Sequence, residues 1–128
     1  MIGSVIRTLL INTPAVAALI GDRMKAIKFA QAEDLPALMY STDNLQPLAC
    51  RNGGGVYYGT LELSLLAKRY AEIEQLLTVI RLVLDNFSGV VDGWSLSIEA
   101  GIEGPDDEDI ELQAYYKRID FFITAERQ

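Results

Sequence analysis

The stretch Val56-Tyr57-Tyr58-Gly59-Thr60-Leu61-Glu62-Leu63-Ser64-Leu65-Leu66-Ala67-Lys68-Arg69-Tyr70-Ala71-Glu72-Ile73 changes its apolar period part-way along. Up to Leu65 the period is two. Tyr57, Leu61, Leu63 and Leu65 fall on one side of an extended chain, and Tyr58, Thr60, Glu62 and Ser64 on the other, the mark of a strand with one face buried and one wet. From Arg69 to Asn86 the period becomes 3.6, with Tyr70, Ile73, Leu76, Leu77, Ile80, Val83, Leu84 and Phe87 on one stripe and Glu72, Glu74, Gln75 and Arg81 opposite. This predicts a long amphipathic helix over 69–86, stopped at Ser88-Gly89 with Gly89 in the left-handed closing conformation.

On the C-terminal side, Trp94, Leu96 and Ile98 alternate with Ser95, Ser97 and Glu99, a second half-buried strand. Residues 101–109 hold Gly104, Pro105 and a run of acids, which predicts a long acidic loop. In the last segment Ile110, Leu112, Ala114 and Tyr116 share one phase and Ile119, Phe121 and Ile123 the other, a slip that predicts a bulge near Lys117 and Arg118. On the N-terminal side, Ile2, Val5, Ile6, Leu9 and Leu10 form a helical stripe ended by Asn12-Thr13-Pro14. Thr13 as cap and Pro14 at the first position begin a second short helix that Gly21 closes, giving a helical unit over about 2–20. Met24 to Phe29 and Leu35 to Thr42 read as further strands. Asn44 to Gly55, with Pro47 and the run Asn52-Gly53-Gly54-Gly55, reads as a mobile hairpin connection. The fold class that follows is α+β: an antiparallel sheet packed by one long helix, with an N-terminal helical unit, in a single domain over 1–128.

Composition removes several kinds of function. The 128 residues contain no histidine, so Ser-His-Asp and Cys-His catalysis and imidazole ligation are excluded. One cysteine, Cys50, forms no intrachain disulfide and no thiolate zinc cluster, and is expected to stay a free thiol in a reducing compartment. The net charge is -7, and residues 65–128 carry all of it, which argues against a groove-reading nucleic-acid binder. The longest uncharged stretch, Thr8 to Gly21, is too short for a bilayer span. Ala15 and Ala17 imitate a cleavage site, but Arg7 follows the apolar stretch instead of leading it.

The acids Glu103, Asp106, Asp107, Glu108, Asp109 and Glu111 lack the alternation and central glycine of a calcium loop. They are expected to face solvent or a channel. The glycine run before Val56 lacks the following helix that a phosphate cradle needs, so Asn44, Pro47, Arg51, Asn52, Gly53, Gly54 and Gly55 read as a candidate docking loop. No catalytic, cofactor-binding or metal-binding residue is singled out.

Three segments resemble one family. They are Thr13-Pro14-Ala15-Val16-Ala17-Ala18-Leu19-Ile20-Gly21-Asp22-Arg23, Leu35-Pro36-Ala37-Leu38-Met39-Tyr40, and Leu61-Glu62-Leu63-Ser64-Leu65-Leu66-Ala67-Lys68-Arg69-Tyr70-Ala71-Glu72-Ile73-Glu74, with Leu84-Asp85 near the helix end. Their order and spacing resemble the tail-completion, or tail-terminator, proteins of tailed phages. Met24-Lys25-Ala26 departs from the family, which often has an aromatic-proline pair there. The resemblance implies a structural virion protein at the head-tail junction, made in the host cytoplasm and without enzymatic activity. It implies a homo-hexameric ring that caps the tail tube and contacts the tube protein and head-completion or neck proteins. Genomic DNA passes through such a ring without tight binding, and no membrane is involved. Two alternatives stay open: another neck component, such as a head-completion protein or tail adaptor, and a small-molecule-binding α+β domain with Trp94 and the tyrosines lining a pocket.

Overall fold

The computed structural model describes residues 2–26, 35–47, 55–110 and 113–128. Three helices, α1 (Ile2–Ile11), α2 (Pro14–Ile20) and α3 (Tyr70–Leu84), cover one face of a seven-stranded sheet. The strands are β1 (Met24–Ala26), β2 (Ala37–Pro47), β3 (Val56–Ala67), β4 (Ser88–Val91), β5 (Trp94–Ile98), β6 (Ile102–Asp109) and β7 (Ala114–Arg127). The α+β class and the helix-packed sheet are as expected. The order is β1-β2-β3-β7-β5-β4, with β6 beside β7, and every pairing is antiparallel except β1 with β2. β7 is long enough to hold β5 along Ile123–Arg127 and β6 along Ala114–Asp120 on the same side.

The alternation read in β3 sets the core. Leu61, Leu63 and Leu65 are fully buried, and register places Leu61 opposite Phe121 and Leu63 opposite Ile119. Ile73, Leu76, Ile80 and Leu84 of α3 close over them, joined by Ile2, Val5, Ile6 and Leu10 of α1. α1 and α2 meet at 91°, and no single helix among the described residues is long and apolar enough to cross a membrane. The Thr13 hydroxyl donates back to the Leu9 carbonyl at 2.8 Å instead of capping α2, whose first N–H groups bond the Thr13 carbonyl. Two arginines of this half fasten elements together: Arg7 Nε donates to the Met24 carbonyl at 2.7 Å and Arg23 Nε to that of Pro36 at 3.0 Å.

Several sequence expectations are corrected. The helix closes at Asp85, and Asn86, at φ 59°, takes the left-handed position assigned to Gly89, which lies in β4. Asp92 and Gly93, both at positive φ, form the two-residue turn joining β4 to β5. The connection expected from Asn44 to Gly55 begins later, because Asn44 to Pro47 belong to β2. There Asn44 and Leu45 together oppose Gly59, a bulge with Asn44 at φ 51°. It turns Leu45 against the core. Arg51 to Gly54 and Cys50 lie outside the described residues, and Gly55, at φ 99°, accepts the Arg127 N–H through its carbonyl.

The acidic loop expected over 101–109 is strand β6. The bulge expected in β7 is also displaced: β7 runs against β3 in unbroken register from Ala114's neighbour Tyr115 to Glu126, and the irregularity sits in β6, between Glu103 and Asp106. The apparent slip has another cause. Lys117 occupies a core-face position in line with Ile119, Phe121, Ile123 and Ala125, so a charged residue stands where that row would otherwise carry an apolar one, and the backbone register with β3 is unbroken although Ala114 is buried in the opposite phase.

Candidate interface surfaces

The β6 acids divide by the pleat. Register puts Glu103, Asp106 and Glu108 on the helix-covered face, opposite Ile119, Lys117 and Tyr115, and Asp107 on the other face, opposite Tyr116. Asp109 ends the strand opposite Ala114, and Glu111 lies outside the described residues. Two of these three, Glu103 and Asp106, meet cations supplied by β7 and α3. Lys117 Nζ lies 2.8 Å from Asp106 Oδ1 and 3.4 Å from Glu103 Oε1, and donates to the Gly104 carbonyl at 3.3 Å. Arg81 Nη1 reaches Glu103 Oε2 at 3.2 Å and the Gly101 carbonyl at 3.1 Å. The Tyr70 hydroxyl donates to Asp106 Oδ2 at 2.8 Å.

These contacts set the protonation states. The hydrogen bond from Lys117, then that from Tyr70, holds the Asp106 carboxyl below the usual carboxylate range. The bond to Asp106 likewise holds Lys117 above its ordinary value despite some desolvation, and raises the Tyr70 phenol. A lysine kept protonated is no nucleophile and a carboxylate of lowered pKa is a weak base, so what these contacts do within the chain is tie β6 to β7 and α3. Among the described residues no group of three or more acids or cysteines is placed to hold a metal ion. Sequence reading missed Lys117, Arg81 and Tyr70; the interrupted apolar phase at Lys117 was the available signal.

Among the described residues the other sheet face carries no helix. Register sets Tyr58, Thr60, Glu62, Ser64, Arg118, Asp120, Phe122 and Thr124 side by side on it. Tyr58 and Phe122 pack at 6.3 Å between ring centroids, and Phe122 stays 45% exposed. Arg118 bridges Glu62 at 2.7 Å and Asp120 at 2.8 Å, which raises its pKa, the Asp120 hydrogen bond contributing most. The charge of this face is acidic: Asp43, Asp107 and Glu126 add to Glu62 and Asp120 against Arg118 and Lys25. On the helical side a shallow apolar groove of about 470 Å³ runs between α2 and α3, lined by Ala15, Ala18, Leu19 and Val79 and rimmed by Glu74, Gln75 and Thr78.

The aromatics do not converge on a pocket. Trp94 is 6% exposed, with Tyr57 at 5.9 Å on one side and the Arg127 guanidinium 5.1 Å from its ring centre. Tyr70 meets Tyr115 edge-on, while Tyr58 and Tyr116 lie on the open face. Of the docking residues, Asn44 and Pro47 are strand residues at the bulged end of β2.

No protein-family model and no curated protein matches the chain. Among solved structures the fold has a virion counterpart. A chain of the virion of a native gene transfer agent particle superposes with a TM-score of 0.65, over 96% of this chain and 90% of that one, at 13% sequence identity. At that identity the shared property is the fold. The superposition takes in helices and sheet together, because so little of either chain is left over.

Proposed function

We propose that the chain is a structural protein of a phage-like virion, a one-domain subunit of the homo-hexameric ring that completes the tail tube and joins it to the head. The observation that carries this reading is the near-complete fold likeness to a chain of a gene transfer agent virion. It agrees with the resemblance of residues 13–23, 35–40 and 61–74 to tail-completion proteins. The architecture suits ring building. The outer edges of β1, β4 and β6 have no partner strand among the described residues, and head-to-tail contacts between such edges close under rotation. The role is adhesive, without chemistry.

The acidic open face and β6 suit a conduit through which DNA slides, because they offer no free cation row to phosphates. The bulged end of β2, with Asn44 and Pro47, leads into the segment proposed to dock on tube or neck protein. The test uses the tube protein encoded in the same virion gene cluster. Purified chain should cap the ends of assembled tubes and stop their elongation, seen by negative-stain microscopy. Tubes that elongate freely with the chain unattached, or a chain that binds only the head-side proteins, would contradict the tail-completion role.

A further inference from the structure

β6 differs from the other strands in how it is held. β3, β5 and β7 each bury an alternating apolar row, whereas none of the described side chains of β6 is buried and Ile102 is 76% exposed. Apolar burial is the dominant attachment of an ordinary edge strand. β6 lacks it, and its register with β7 breaks at Gly104 and Pro105, where Pro105 has no N–H to give.

Side-chain charge replaces apolar burial. Lys117 from β7 and Arg81 from α3 grip Glu103 and Asp106, and Tyr70 adds its hydroxyl. The entry to the strand is pinned separately: the Gly101 N–H donates to Asp85 Oδ1 at 2.8 Å, and Asp85 pairs with Arg81 Nε at 3.0 Å. A side chain at position 101 would meet Ile119 and Phe121 at 2.7 Å, so the chain enters β6 pressed against the core edge.

We propose that β6 is a charge-latched cover over the outer edge of β7, which opens as a unit without unfolding the rest of the sheet. Opening breaks the ladder from Ala114 to Asp120 on that side and leaves backbone N–H and C=O groups free, the chemistry that accepts an added strand. The helices and the β2-β3-β7-β5 core keep their buried contacts throughout.

Hydrogen exchange read by mass spectrometry on the full chain tests this. Protection factors over 102–109 should lie at least roughly tenfold below those over 56–67 in the native protein. Lys117→Met keeps the stem volume beside Leu65 and Ile119 while removing the latch, and should lower protection over 102–109 by roughly a further tenfold. Protection over 56–67 should not change. Glu103→Gln with Asp106→Asn removes the same latch from the exposed side and should do the same, which covers the case of a poorly folding Lys117 variant. Protection over 102–109 equal to that over 56–67, or unmoved in both variants, would overturn the proposal.

Discussion

Gly59→Ala is the substitution whose cost can be worked most directly from the geometry. A Cβ at Gly59 would stand 2.7 Å from Leu45 Cα and 2.9 Å from the Asn44 oxygen and Leu45 nitrogen. All three are backbone atoms, so no side chain can swing aside. Reaching ordinary contact at 3.4 Å requires the bulge to retreat by about 0.5–0.7 Å, between the pairs Asp43–Thr60 and Gln46–Tyr58 that clamp it. Forced shifts of this size cost about 1–3 kcal/mol, and alanine recovers up to about 1 kcal/mol through the unfolded chain. The net expectation is a loss of about 1–2 kcal/mol. Urea unfolding should show the midpoint falling with the slope unchanged, and the melting temperature should drop by about 3–10 °C for a chain of this size. Asparagine separates the mechanism from a general intolerance of side chains. At Gly93, φ 80° with nothing within 4 Å, asparagine should be tolerated better than alanine, because it enters the left-handed region more readily. At Gly59 asparagine should be worse than alanine. A Gly59→Ala protein as stable as the native one would refute the reasoning, and with it the close seating of the bulge.

Other outcomes follow from the same packing and charges. Leu63→Ala or Ile80→Ala, each at a fully buried position, should cost about 2–5 kcal/mol in urea unfolding, while Thr60→Ala and Glu72→Ala cost little; equal losses would sink the core assignment. The lowered Asp106 carboxyl stabilises the fold above its unfolded value of 3.8 and loses that effect as pH falls through its folded value. The raised Lys117 contributes below its unfolded value of 10.5 and fades as pH rises through its folded one. Thermal melts should therefore fall more steeply for the native chain than for Lys117→Met below about pH 4 and above about pH 10.5; parallel curves would contradict the pairing. Duplex DNA should not bind appreciably even at low salt, and a tight, salt-sensitive mobility shift would refute that expectation.

Much of the fold was legible because β3, α3 and β5 bury simple apolar rows, for which period and face coincide. β6 was not, since its acids and Pro105 have low strand propensity and the strand exists by pairing with β7. Asn44 to Pro47 were hidden similarly: turn-forming residues occupy a bulge whose partner, Gly59, is flat enough to admit it. The Asp92-Gly93 turn was not read, although its signal, a two-residue pair between Val90-Val91 and Trp94, stands in the sequence. The latch was half-visible. Lys117 broke an apolar alternation, but only the register shows that it points inward toward acids from β6 and an arginine-bearing helix. The interface surfaces are less legible than the core because exposure leaves side-chain choice free, whereas burial constrains it.

The proposed assembly is a closed ring of six copies at the end of a tail tube. Native mass spectrometry of the chain bound to its tube protein reads that directly, because six chains of 14.2 kDa add about 85 kDa to the complex. A monomer in dilute solution is compatible with assembly templated by the tube end, so the complex is the species to measure. Six copies in a closed ring are the predicted result. A single copy, or an open series of copies without a fixed number, would contradict the ring and the tail-completion role together.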